Sequence, residues 1–186
     1  MTTPRLAAFL LAPLLLASTL AAQDSKPAAQ SDKLAPYYPT PETVVEAMLK
    51  LGGLKKGEKM FDLGSGDGRV VIMAAQQFKA DATGVEIDPD LYKQSSDRIR
   101  SLGLEKHARI INGDILKQDY SSADLLTVYL LPTSNEKIRP MLESQLKKGT
   151  RIVSHDFMFQ GWTPAKEQHI ADDGEGRSHT LYLYIR

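Results

Sequence analysis

The stretch FDLGSGDGR, residues 61–69, decides the fold. An apolar run over 59–63 ends in Asp62 and Leu63, and Gly64, Gly66 and Gly68 then alternate with Ser65 and Asp67. The chain resumes as RVVIMAAQQF, so the stretch reads as strand, glycine turn and buried helix. The rhythm repeats outward. ATGVEI (82–87), ARIIN (108–112), ADLLTVYLL (123–131) and TRIVSH (150–155) read as further strands. The fourth is apolar almost throughout, as a central strand covered on both faces is. Thr40 as cap and Pro41 as first helical position open a helix with the stripe Val44, Val45, Met48, Leu49 and Leu51. Asp88-Pro89 opens another, with Tyr92, Ser95 and Ile99 on one face and Gly103 as its stop. Residues 133–147 read as a third, which Pro140 must start, kink or split. EQHIAD and HTLYLYIR flank the turn-rich DGEGRS as a terminal hairpin. The expected fold is α/β: a Rossmann-like, doubly wound, mostly parallel sheet with a C-terminal antiparallel hairpin, in a three-layer sandwich. Ligands of such sheets bind at the carboxyl ends of strands where the strand order reverses. FDLGSGDGR lies at such an end.

The 186 residues are a length for one domain. Residues 1–22 combine Arg5 with an uncharged, Ala-rich run from 6 to 22, the layout of a signal peptide and of export to a periplasmic or secreted location. The alternative is an uncleaved membrane anchor over 6–22, the only expected membrane contact. Residues 23–36 read as a flexible linker, and 37–186 as the folded domain. The chain has 23 basic and 23 acidic residues; removing Arg5, Lys26, Lys33, Asp24 and Asp32 leaves 20 and 21 for the domain. That balance carries no nucleic-acid footprint. Absence of cysteine excludes disulfides and thiolate metal sites, and His107, His169 and His179 show no ligand spacing, so no metal is assigned. A monomer is expected.

The turn's spacing narrows the ligand. A dinucleotide turn needs a third glycine where this chain has Arg69, and a triphosphate loop needs Lys-Ser/Thr where it has Arg69-Val70. Asp62 and Asp67 disfavour an anionic ligand; Asp62 suits an ammonium. Glu86, at the end of the second strand beside Ile87, is placed to accept both ribose hydroxyls. Asp114, in NGD (112–114), either accepts from an adenine amino group, with Ile115 packed on the ring, or is a bare turn acid. An ammonium, a ribose and an adenine without phosphates describe S-adenosylmethionine.

FDLGSGDGR, GVEIDPDLY, NGD and LLTVYLLP resemble the successive motifs of class I S-adenosylmethionine-dependent methyltransferases over about residues 37–156. YYPTPETVVEAML, DLGSGDGRVVI and RIVSHDFMFQGW resemble more closely small bacterial relatives of the mitochondrial lysine methyltransferases that act on an ATP-synthase subunit and on nucleotide transporters. DLGSG and GVEI also resemble the non-SET histone lysine methyltransferases. The resemblance implies a cofactor set of Tyr38, Thr40, Asp62, Gly64, Ser65, Gly66, Gly68, Glu86, Ile87, Asp114 and Ile115, with Tyr38 and Thr40 closing over the ligand. It implies a protein lysine as acceptor. A small-molecule acceptor, or a binding module without turnover, are the competing readings. Many amino-group methyltransferases of other branches carry Asn/Asp-Pro-Pro-Tyr after the fourth strand; this chain has Leu130-Leu131-Pro132-Thr133. Tyr129 and Pro132 are the candidates that shape the acceptor channel. His155 is a candidate base, although a structural role is preferred, and Asp156 and Trp162 are further candidates.

Overall fold

A computed structural model describes Met1 and residues 34–186. The expected signal or anchor over 1–22, and the linker up to residue 33, lie outside the described residues. Asp32–Arg186 forms one compact unit. Among the described residues no helix is long and apolar enough to cross a membrane.

The elements follow in the order α1 (Glu42–Leu51), β1 (Lys59–Leu63), α2 (Arg69–Phe78), β2 (Asp81–Glu86), α3 (Pro89–Ser101), β3 (Ala108–Asn112), a 3-10 turn (Ile115–Lys117), β4 (Leu125–Val128), α4 (Pro132–Gln145), β5 (Arg151–His155), β6 (Lys166–Ile170) and β7 (His179–Ile185). The sheet order is β3-β2-β1-β4-β5-β7-β6. β1 to β5 are parallel, and β7 pairs antiparallel with both β5 and β6. The order reverses between β1 and β4, so the turn after β1 opens onto the switch point.

Alternation along each strand splits the core into two faces. Met60, Ala82, Leu125 and Val153 pack with the buried stripes of α1 and α2 and with Ile99 of α3. Phe61, Val85, Leu126 and Ile152 face the other way, against Ile138 and Leu142 of α4 and Tyr120. This is the expected three-layer sandwich with its hairpin.

Several boundaries differ from the sequence reading, each for a local reason. Thr40 does not cap α1; Pro41 holds the N-cap position without a side-chain bond, and the Thr40 hydroxyl turns instead to His155 Nδ1, 3.3 Å away. β4 stops at Val128, because Tyr129–Leu131 leave the ladder. Pro140 sits inside an unbroken α4. Pro140 and Glu136 are both exposed, so the Glu136 carbonyl left without an amide donor faces water. Asp88 caps α3 as read, accepting from the Asp90 and Leu91 amides at 2.9 and 3.2 Å.

One close approach fixes the turn on the sheet. A Cβ on Gly84 would meet Ser65 Oγ at 2.5 Å, Ser65 Cβ at 2.6 Å and Ile110 Cδ1 at 2.7 Å. Gly84→Ala is therefore expected to lower unfolding free energy by about 1–3 kcal/mol, the usual range for overpacking. Urea denaturation of the two proteins measures it, and an unchanged midpoint would show that Ser65 yields freely.

Candidate functional site

The glycine turn forms one wall of a cleft. Gly64 and Ser65 amides both donate to the Val85 carbonyl at 3.0 Å. The Gly66 amide donates to Glu86 Oε2 at 2.7 Å, and the Asp88 amide to Glu86 Oε1 at 2.8 Å. Gly66 has φ 52°, and a Cβ there would strike the Tyr37 ring at 2.7 Å. Only glycine lets that ring lie against the backbone. The cleft spans about 930 Å³ of non-atom space, part of it open solvent.

Its charge is acidic. Asp62 is buried at 6% exposure, and its Oδ1 accepts from Thr127 Oγ1 at 2.7 Å, its register partner on β4. Burial pushes the Asp62 carboxyl up to about 7; the Thr127 bond opposes this, while the charges of Glu86 and Asp67 add to it. No cation figures among the groups acting on it. Asp67 behaves differently from the sequence reading. Arg69 grips it bidentately, Nε to Oδ1 at 2.9 Å and a terminal nitrogen to Oδ2 at 2.7 Å, so most of its charge is paired and only a minor push on Asp62 remains. Burial acts to raise the Asp67 carboxyl, and Arg69 more than offsets it, leaving it below the ordinary carboxylate range. The same arginine reaches the Thr40 carbonyl at 2.9 Å. Its charge is already paired with Asp67, which weakens its pull on a phosphate.

Of the residues the sequence singled out, Tyr38, Thr40, Asp62, Gly64, Ser65 and Gly66 line the cleft. Glu86, Ile87, Asp114, Ile115 and Tyr129 line it too. Gly68, Pro132 and His155 are not on its wall. Gly68 heads α2, where a Cβ would meet Ser95 Cβ at 3.0 Å, so its work is helix packing. Pro132 is exposed in the first turn of α4. His155 is fully buried behind Tyr129, whose ring lies 3.9 Å from its own. Burial lowers His155 to about 4, with Asp156 opposing and His179 adding; a neutral imidazole sealed from the cleft cannot act on a substrate there. Asp114 accepts from the Leu116 amide at 2.9 Å and caps the 3-10 turn while lining the cleft. Trp162 stacks on Phe159 and bonds Glu143 at 2.8 Å, part of the cover over α4.

Sequence reasoning missed Tyr37, Arg69 and the strap Leu34-Ala35-Pro36, all of which line the cleft. The strap is tied down by Ser134 Oγ, which donates to the Leu34 carbonyl. Leu34 followed by Ala35 was the available apolar signal within a polar tract. Nor did spacing show that His155, Asp156 and His179 meet.

The donor set fits an adenosyl sulfonium amino acid. Asp62 offers an ammonium a carboxylate on which no cation acts among the described residues. Glu86 keeps acceptor capacity beyond its two backbone donors. Ser65 Oγ is buried without a partner among the described residues. A mostly parallel sheet in this order, with these acids at the ends of β1 and β2, suits an S-adenosylmethionine-dependent methyltransferase.

Comparison with known proteins agrees. The family model of the ANTKMT methyltransferase domain matches residues 62–166. A protein-lysine N-methyltransferase of Saccharolobus islandicus is 42% identical over 151 residues, 81% of this chain and 92% of its own. A lysine N-methyltransferase of an ATP synthase subunit, from Xenopus laevis, is 31% identical over 75% of this chain, which spans 59% of that relative. A crystal structure titled RNA methyltransferase, from Salinibacter ruber with S-adenosyl-L-homocysteine, superposes with a TM-score of 0.73 at 40% identity, covering 80% of this chain and 93% of that one. The chain belongs to the ANTKMT methyltransferase family, and its cofactor is S-adenosylmethionine.

Cofactor affinity should follow the ionisation of Asp62. An Asp62 that keeps its proton to about pH 7 must lose it to pair with an ammonium. In the unfolded chain the same group ionises near pH ~4, so the ligand-free protein loses stability as pH rises from about 4 to 7 while the cofactor gains affinity. Calorimetric affinity is expected to rise about eightfold from about pH 6 to pH 7.5, following the ionised fraction, and Asp62→Asn to flatten that slope. A flat slope in the parent would remove Asp62 from the ammonium site. Glu86→Ala is the poorer probe, because it also strips acceptors from the Gly66 and Asp88 amides.

Proposed function

We propose that this methyltransferase acts on a lysine side chain of a protein. The observation that carries the reading is the 42% identity to a protein-lysine N-methyltransferase across 151 residues. The cleft supports it. Tyr129 and Leu130 follow β4 on its wall, and Tyr37 and Tyr38 stand on the strap beside them. Aromatic walls suit the aliphatic chain of a lysine. Leu130-Leu131-Pro132-Thr133, directly after β4, carry no amide or acid of the kind that holds a planar amide substrate.

S-adenosylmethionine supplies an electrophilic methyl on a sulfonium, with a neutral leaving group. Asp62, Glu86 and Asp114 are the acids that would hold its ammonium, ribose and adenine ends. The protein's part is then positioning, which is worth up to roughly 7–11 kcal/mol when reacting groups are held in line. Tyr129 presents a neutral phenol: burial raises it, Asp156 and Tyr38 add to the rise, and Arg177 opposes. It orients an amine without serving as a base. The lysine gives its proton to solvent water as it enters, because an apolar channel that desolvates its ammonium favours the neutral amine.

The Salinibacter ruber relative is titled an RNA methyltransferase, so RNA is the competing acceptor. The near-equal charge count of the domain favours protein. For residues 1–22 export remains our proposal, on Arg5 and the uncharged run that follows it; a compartment reporter fused to the full chain tests it.

Radiolabelled S-adenosylmethionine incubated with the full chain and a source-organism extract decides the acceptor. Label is expected in a protease-sensitive, ribonuclease-resistant fraction that hydrolyses to methyl-lysine; label in RNA or in small molecules would overturn the assignment. On the identified substrate Tyr129→Ala is expected to lower kcat about a hundredfold, the usual cost of misplacing reacting groups. Cofactor affinity should change by less than about threefold, as Tyr129 makes no part of the acid set.

A further inference from the structure

Three ligand atoms converge behind the cleft wall, at the carboxyl end of β5. His155 Nε2 and His179 Nδ1 are 2.9 Å apart. Asp156 Oδ2 lies 3.1 Å from His179 Nδ1 and 3.3 Å from His155 Nε2. The antiparallel pairing of β5 with β7 brings them together: Leu181 is the register partner of His155, so the start of β7 returns His179 beside the end of β5. Asp156 joins them through a left-handed backbone, φ 58°, unusual for a residue other than glycine.

The outer atoms of all three groups are also held. His155 Nδ1 is 3.3 Å from Thr40 Oγ1. His179 Nε2 is 3.3 Å from Asp173 Oδ2. Asp156 Oδ1 accepts the Thr180 amide at 2.9 Å. Asp173 is buried and receives the Arg177 guanidinium at 2.9 Å and the Glu175 amide at 2.8 Å, so it is an ionised acceptor. A neutral His179 gives its single proton to Asp173, and a neutral His155 gives its own to Thr40. Each then turns a bare nitrogen lone pair to the centre, where Asp156 Oδ2 adds a third. That is the arrangement by which outer partners fix metal-ligating histidines.

The spacing agrees. Metal bonds of about 2.0–2.1 Å, tetrahedral or octahedral, set neighbouring donors roughly 2.9–3.4 Å apart. The three observed separations run from 2.9 to 3.3 Å. We propose that His155, Asp156 and His179 bind one divalent transition-metal ion, zinc in first place. Two imidazoles and a carboxylate suit such ions and leave a position for water. The ion enters past Asp156, whose side chain is 27% exposed.

Its role is structural. The Tyr129 ring separates His155 from the cleft, so the ion does not touch reacting atoms. It instead locks Thr40, and with it the lip of the cleft, to the junction of β5 and β7. Nothing in this site depends on which acceptor the enzyme methylates.

The competing account is a proton shared at the same point, and the test separates the two. Full-length chain without a histidine tag, stripped with a chelator, is titrated with zinc chloride against a chromophoric competitor, with metal content by elemental analysis. One zinc per chain is expected. Asp156→Asn should weaken binding at least about tenfold, and Asp173→Asn, which removes an outer partner, by about 10–100-fold. Zinc should raise the melting temperature of the parent and not of Asp156→Asn. No saturable binding by the parent up to about 100 µM zinc would overturn the site, as would undiminished binding in both variants. If a variant fails to fold, the parent's stoichiometry and its melting shift decide between the ion and the shared proton.

Discussion

The head of the sheet hangs on the carboxylate of Glu86. One oxygen accepts the Gly66 amide from the turn after β1, and the other accepts the Asp88 amide that opens α3. A single buried side chain thus joins the exits of two neighbouring parallel strands. Two backbone amides, and no cation among the described residues, contact this carboxylate, which keeps lone pairs for the cleft. The same bonds that shape the turn therefore select the ligand. A phosphate would face Glu86 and Asp62 together, with Arg69 already committed to Asp67; hydroxyls and an ammonium meet partners instead.

Most of the fold was legible because it is local. Each strand is a short apolar run, and each helix start carries its own punctuation, as at Asp88-Pro89. The hairpin showed in two alternating runs around DGEGRS. What eluded the sequence were endpoints set by neighbours. β4 looks nine residues long by composition, yet Leu125–Val128 alone find ladder partners on both sides, and the apolar residues beyond serve the cleft. Pro140 looks like a breaker, yet it stands where the lost bond opens to solvent. Propensity says what a residue prefers, and only the packed neighbours say what it can tolerate.

The candidate site divides along the same line. Asp62, Gly64, Ser65, Gly66 and Glu86 sit at the strand ends that carry them; position along the strands pointed to Asp62 and Glu86, and the family resemblance added Gly64, Ser65 and Gly66. Residues whose partners lie far along the chain were misread or missed. Thr40 resembles a cap and is drawn instead to His155, more than a hundred residues away. Asp67 resembles a second repelling acid until Arg69, two residues on, is seen folded back over it. His155, Asp156 and His179 have no motif spacing because a strand reversal, not a helix turn, brings them together. Such pairings depend on topology, which the periodicity of one chain encodes only indirectly.

The strap across the cleft answers a further physical requirement. A cofactor that enters and a demethylated product that leaves need a cover that opens without unfolding the sheet. Tyr37 and Tyr38 are about half exposed, at 49% and 53%, so little apolar burial holds them down. Two arginines tether the segment instead. Arg69 bonds the Thr40 carbonyl at 2.9 Å, and Arg177 bonds the Tyr38 hydroxyl at 2.8 Å. Charge-assisted bonds of this kind are stronger than neutral ones; the Arg177 bond is exposed to water, and the Arg69 bond is partly buried. The core face below keeps α1 in place through Val44, Val45, Met48 and Leu49, all within 1% of full burial. The wall that binds the cofactor is thus anchored in the core, while the segment that carries Tyr37 and Tyr38 is fastened above it by arginine hydrogen bonds in place of apolar burial.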